Sequence, residues 1–488
     1  MKKSTVIEIL RTFSKDELAT FGEFTMSPYH NKRSNVTKLY KILRKLAPDF
    51  PADKIVKEEL WNKVFPGKTY NYGIMKNLIH ELNKLTVKFL EFEMYSIKPF
   101  ERDLNQMDGF KLKNLKSQFI KKATETRKKL ETSPLDHLSH YYGYMIYCSE
   151  MSYLDYNFLF DSKEKDYHSG VNRSLNLFYC TNQLYHNVNN VQYAHNSSAL
   201  IDEQTHLKTL KLYKDSSFND PFADILFYSY IAVTNIGDKE SYEKLKSVFF
   251  ENYNKCSKSI QCDLVTTMIN FCSNSAHAGS GEFIKDVFIY VKLLIEDGLY
   301  KSLNVGWMDQ YLFVQAVMAA CRAGKFDWAE KFIEEHNHEL IEDVREQYTN
   351  YAYITLNLRR GKFEEALRYI SKCKNVDDGD KLNIKVFEFN AYYELGYYDE
   401  LKALADSANH MLRNDKFFSH KEKANYKLYV TAISRLMDYK CKVGSRYKDP
   451  DFLPDLINFI NENKMRNKQW LLQKIDELKS KEKKTQGE

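Results

Sequence analysis

Residues 359–370 read RRGKFEEALRYI, and residues 395–405 read LGYYDELKALA. In both, a glycine is followed by an aromatic residue, then by acidic residues, then by a small or apolar residue five places after the glycine. An earlier copy, Gly324-Lys325-Phe326-Asp327-Trp328-Ala329, sets the glycines Gly324, Gly361 and Gly396 at intervals of 37 and 35 residues. Such an interval accommodates two helices and their turns. Glycine tolerates the left-handed backbone that ends one helix, the aromatic ring packs into the turn, and the acids favour the positive N-terminus of the next helix. The pattern therefore predicts repeated helical hairpins, and it marks these residues as architecture.

Beyond these turns, the periodicity is helical almost everywhere. Ile74, Leu78, Leu82, Leu85, Phe89 and Phe92 advance in steps of three and four, which puts them on one helix face. Ser14 followed by Glu17 has capping-box spacing; Ser133-Pro134 and Asp220-Pro221 place a cap before a first-turn proline; Gly237, Gly298 and Gly324 sit where helices should stop. No extended period-two alternation bounded by turn residues predicts a sheet. The expected fold is all-α.

The units at Gly324, Gly361 and Gly396 resemble the tetratricopeptide repeat over about residues 305–440, where a small residue five places after the turn glycine lets the second helix approach the first. Ala329 and Ala366 occupy that place, whereas Leu401 departs from it and predicts wider packing in the third unit. Gly237 and Gly281 suggest more diverged pairs upstream. The resemblance implies a right-handed α-solenoid of TPR-like helical hairpins, preceded by a small N-terminal helical domain. The expected divisions are 1–98 for that domain, 99–133 for a connecting basic helix, 134–463 for the solenoid, and 464–488 for a basic C-terminal helix or tail.

The first hundred residues predict helices over residues 5–12, 15–26, 35–46 and 57–65, then a long helix over 71–95. Leu60-Trp61, the Pro66 turn and Leu78, Leu82 and Leu85 resemble the helix-turn-helix of winged DNA-binding domains. The residues after Tyr95 depart from that pattern, because they contain no hairpin to form a wing. On the long helix, Lys76, Asn77, His80, Asn83, Lys84 and Lys88 lie opposite the leucines, a composition suited to phosphate contacts and, through Asn77 and Asn83, to base edges. It suits a solvated basic face equally. The stretch FGEFTMSPYHNKRSNVTKLYKIL together with FPGK also resembles the opening of uncharacterised bacterial helical-repeat proteins, a resemblance that implies no activity.

Composition fits this reading. Only 9 prolines and 17 glycines interrupt 488 residues, and 35 Tyr with 31 Phe make an aromatic core. The net charge of +6 is uneven, since residues 1–133 hold 27 Lys and Arg against 16 Asp and Glu. The front is basic and the remainder acidic, which suits an anionic partner at one end or merely solvated helix faces. The 8 cysteines are scattered singly, and the apolar run at the start is cut by Glu8 and Arg11. Both features predict reduced thiols in a cytoplasmic chain without a secretory leader or a membrane span.

The residue types needed for catalysis or metal binding occur without the required spacing. Gly67-Lys68-Thr69 copies the end of a phosphate-binding loop, but Asn62 stands where its first glycine belongs, so it reads as a turn. His137 with His140, His336 with His338, and Cys256, Cys262 and Cys272 lack a second ligand pair at metal-site spacing. The aromatic run 140–158 contains no lysine or arginine, which favours core packing over stacking on bases. No cofactor, metal or catalytic residue is expected. The sequence favours a non-catalytic scaffold that binds a protein or peptide partner; a nucleic-acid-binding transcriptional regulator is the alternative.

Overall fold

The computed structural model describes residues 4–157, 164–196, 203–216, 218–277, 281–302, 307–373, 378–414, 418–463 and 465–486. Every regular element among them is a helix, and the one β-type pairing is the isolated bridge between Leu135 and Cys256. The chain forms two compact units. Met1–Ser133 and Leu138–Phe178 make the first; Pro134–His137 and Tyr179–Glu488 make the second.

The first unit opens with α1 (Thr5–Thr12), α2 (Lys15–Met26), α3 (Ser34–Arg44), α4 (Lys57–Val64) and α5 (Tyr72–Ile97), within two residues of the sequence expectation. Ser14 and Glu17 form both halves of the capping box that starts α2. Amphipathic stripes from all five helices share one core, in which Phe89 of α5 meets the rings of Phe13, Phe21 and Phe24 at centroid distances of 5.2 to 5.5 Å. The Tyr40 hydroxyl is buried there and donates to the Leu18 carbonyl, which satisfies its polar end.

Next come α6 (Pro99–Leu112), α7 (Lys116–Glu131) and α8 (Ser139–Asn157), which pack on one another. Asp103 of α6 is almost fully buried, but Lys122 and Lys129 of α7 each lie 2.7 Å from one of its oxygens. Burial alone would raise its pKa; the two lysines outweigh burial and hold it below the ordinary carboxylate value. Ser133-Pro134 does not open a helix. Ser133 instead caps the end of α7 by donating to the Lys129 carbonyl, while Leu135 pairs with the backbone around Cys256, leaving Ser139 to start α8. The helix α9 (Glu164–Asn196) contributes residues to both units.

The second unit continues through α10 (Glu203–Ser216), α11 (Pro221–Thr234), α12 (Lys239–Asn252), α13 (Lys258–His277) and α14 (Val287–Glu296). Asp220 accepts from the amides of Phe222 and Ala223, so the Asp-Pro signal does start α11. After these come α15 (Gln310–Arg322), α16 (Phe326–His336), α17 (Glu342–Arg360), α18 (Phe363–Lys372), α19 (Asp378–Leu395), α20 (Tyr398–Asn414), α21 (His420–Lys440), α22 (Phe452–Glu462) and α23 (Lys468–Gln486). From α15 onward the odd-numbered helices pack on the helix that follows and on the one after it: α15 on α16 and α17, α17 on α18 and α19, α19 on α20 and α21.

Tyrosine hydroxyls tie these helices together. Tyr253 donates to Asp297, Tyr300 to Glu339, Tyr348 to Asp380, Tyr398 to Asp438 and Tyr439 to Glu482, over separations of 32 to 44 residues. That separation is close to the length of one helical pair. The abundance of tyrosine thus has two uses, ring burial and a charge-assisted hydrogen bond to the next pair.

Candidate functional site

Two sets of residues carry the functional expectations, the outer face of α5 and the turns between paired helices. Gly67, with φ of 76°, closes the turn before α5, and the Trp61 indole donates to the Lys68 carbonyl at 2.8 Å. The Gly67-Lys68-Thr69 segment is therefore a turn tied to the core. Asn71 then caps α5 by accepting from the Ile74 amide at 3.0 Å.

The buried stripe of α5 is Met75, Leu78, Leu82, Leu85 and Phe89. Ile74 and Phe92, which the sequence places on that stripe, are exposed. The stripe begins at Met75 because the core lies three residues before Leu78, not four. Leu60, Trp61, Leu78, Leu82 and Leu85 all lie in the core, and the chain after α5 continues as the helix α6.

On the outer side, Lys76, Asn77, His80 and Lys84 are exposed, while Asn83 and Lys88 are half-buried. The six residues do not form one uniform cationic surface. Lys84 lies 3.6 Å from Glu81, and Asn83 Oδ1 is buried against the protein without a hydrogen-bond partner among the described residues, so its amide oxygen is turned away from any base edge. Lys88 sits beside His30, whose pKa is lowered by burial and by the Lys88 charge. Sequence reasoning missed an apolar stretch farther along the same side: Val87, Leu90, Met94 and Ile97 are 41%, 37%, 49% and 67% exposed. Their spacing was readable, but spacing cannot say which of two apolar stripes meets the core.

The turn residues behave alike. Gly324, Gly361 and Gly396 have φ of 71°, 75° and 78°. At each, the glycine amide bonds the carbonyl three residues back and the following amide bonds the carbonyl five back: Lys325 to Ala320 at 2.8 Å, Lys362 to Asn357 at 2.9 Å, Tyr397 to Tyr392 at 2.9 Å. Ala329, Ala366 and Leu401 are all buried, so the larger side chain in the third unit enters the core rather than leaving it. Lys442 repeats the same two bonds at φ 55°, an instance hidden from sequence because it lacks the glycine. Gly237 has the left-handed backbone too, whereas Gly281 begins a short 3-10 turn without it.

Successive turns are bonded to each other. Arg360, which precedes Gly361, reaches back to Glu330 at 2.8 Å and Asp327 at 3.3 Å, and the Tyr397 hydroxyl beside Gly396 donates to Glu364. The acids after Gly324 and Gly361 therefore bridge neighbouring units as well as facing a helix N-terminus.

The remaining chemistry-bearing residues are engaged locally. His137 Nε2 is 3.6 Å from Asp263 Oδ2 with its ring against Tyr185, and His336 Nδ1 is 3.1 Å from Glu339 Oε1. His338 lies past the end of α16, in a short 3-10 turn. Burial pushes the Cys256 thiol up to about 11 and the Cys272 thiol up to about 12, which removes thiolate character at neutral pH. Among the described residues no group of three or more His, Cys, Asp or Glu could hold a metal ion, and no helix is long and apolar enough to cross a membrane. In the aromatic run, Ile146 and Tyr153 are buried and Tyr153 stacks on Phe119 at 4.4 Å, while α7 brings Arg127 over the Tyr147 ring at 5.9 Å; Phe158 lies outside the described residues. Comparison with protein families, with curated proteins and with solved structures finds no match for this chain.

Proposed function

We propose that the chain is a non-catalytic interaction scaffold of the cytoplasm, in which TPR-like helical pairs of residues 134–463 stack as a right-handed α-solenoid and hold a protein or peptide partner. The observation that carries this reading is the bonding of one turn to the next, Arg360 to Asp327 and Glu330, then Tyr397 to Glu364. A helical array stabilised by contacts between neighbours keeps a continuous surface available for a ligand, with no need for a reactive side chain. The test is hydrogen exchange on the chain with and without a partner recovered in stoichiometric amount from native lysate. Protection over residues 310–395 is expected. Recovery of the chain alone under gentle salt, or protection confined to residues 4–131, counts against the scaffold.

A second reading, a transcriptional regulator that binds nucleic acid through the first unit, rests on the exposed Lys76, Asn77, His80 and Lys84. It requires duplex binding that weakens steeply with salt. Reversing the charge of Lys76, Lys84 and Lys88 should abolish that binding, and an unchanged affinity would remove the reading.

A further inference from the structure

The outer face of α5 carries a second periodic stripe. His80, Asn83, Val87, Leu90, Met94 and Ile97 follow one another by three, four, three, four and three residues, on a face turned by roughly 130° from the stripe that enters the core. Its C-terminal four members are apolar and exposed over about 15 Å of helix. Nothing within the chain's described residues covers them to the level of its core.

We infer that this face pairs with α5 of a second copy of the chain, in antiparallel orientation. The flanking charges single out that occupant. With Val87 opposite Leu90 of the second copy, Met94 falls opposite Asn83, and Lys84 falls beside Glu91; two-fold symmetry makes every one of these contacts twice. Lys84 and Glu91 are both exposed, and they lie on the flank of the stripe farther from the core. Among the described residues Lys84 pairs only with Glu81, at 3.6 Å, while 61% of its side chain remains exposed, so exchanging that partner costs little. A parallel arrangement would set Lys84 beside Ile79 and leave its only opposite-charge pair to Glu93 and Lys98. Lys98 lies beyond the end of α5 and is already held by Glu101 at 3.2 Å. The face is self-complementary only when inverted, as an isologous dimer requires.

The experiment is sedimentation equilibrium of the full chain at low salt, with four variants. The unaltered chain should be a dimer, and Leu90→Glu a monomer with unchanged helical circular dichroism, since Leu90 is not part of the chain's own core. Lys84→Glu and Glu91→Lys should each raise the dissociation constant about tenfold, because each turns two flanking pairs repulsive. The double variant K84E/E91K should restore it, and only direct pairing between the two positions gives that rescue. A monomeric unaltered chain, a dimer indifferent to Leu90→Glu, or a double variant as weak as the single ones overturns the proposal and leaves the face to a different protein.

Discussion

The Tyr242 hydroxyl donates to Asp286 Oδ2 at 2.6 Å, joining α12 to the start of α14 across 44 residues. Lys246 Nζ reaches the same oxygen at 2.7 Å, and the Tyr290 hydroxyl lies 3.0 Å from that of Tyr242. Burial alone would raise the Asp286 pKa; the Lys246 and Tyr242 hydrogen bonds outweigh it and hold the carboxylate below its usual range. Tyr242→Phe removes one charge-assisted bond and should destabilise the second unit by about 1–3 kcal/mol, measured by urea unfolding. Because the folded-state pKa is depressed, Asp286 contributes stability above the unfolded value, and that contribution is lost as pH falls through the folded one.

The tyrosines that bond one helical pair to the next predict the alkaline limit. Burial first, and neighbouring carboxylates second, raise Tyr253, Tyr300 and Tyr439, the last to about 12. Their contribution is fully present below about pH 10 and is lost as pH rises toward the folded values. Near-ultraviolet titration should show a first group of exposed tyrosines ionising normally, then a cooperative step coincident with loss of helical circular dichroism. Smooth ionisation of all tyrosines near pH 10 in a folded chain would contradict these hydrogen bonds.

Glu150 on α8 is a pH-dependent liability within the first unit. It is 6% exposed, its Oε1 lies 3.4 Å from Arg127, and its Oε2 meets no hydrogen-bond donor among the described residues. Burial raises its pKa to about 7, against the smaller lowering effect of Arg127. The folded chain therefore holds an extra proton below that value, so stability is fully present below about pH 4.5 and declines as pH rises through 7. Glu150→Gln should raise stability at pH 8 by at most about 3 kcal/mol and flatten the profile between those limits, as read by thermal unfolding across pH.

Two glycines should respond with opposite signs. A Cβ at Gly361 would meet no atom within 4 Å, so Gly361→Ala costs only the left-handed backbone, about 1 kcal/mol. Gly109 lies inside α6 with equally open space, and Gly109→Ala should stabilise by about 0.5–1 kcal/mol. Chemical denaturation of both variants checks the pair. A stabilising Gly361→Ala would mean that the turn is not left-handed.

Local signals in the chain specified the helices and their punctuation. Period and caps are short-range features, so the helices of residues 5–97, the capping box at Ser14, the Asp220 cap and the three glycine turns were all legible. Ser133-Pro134 misled because the same cap signature also ends a helix, and the backbone around Cys256, more than a hundred residues away, claims Leu135. Lys442 was hidden because the turn is defined by backbone bonds that glycine merely makes cheap. On α5, long-range packing selected which residues the core takes, from Met75 to Phe89, and hence left Val87, Leu90, Met94 and Ile97 facing outward beside the predicted basic band. Spacing fixes which residues share a face, but the choice of buried face depends on what α1, α2 and α3 bring against it.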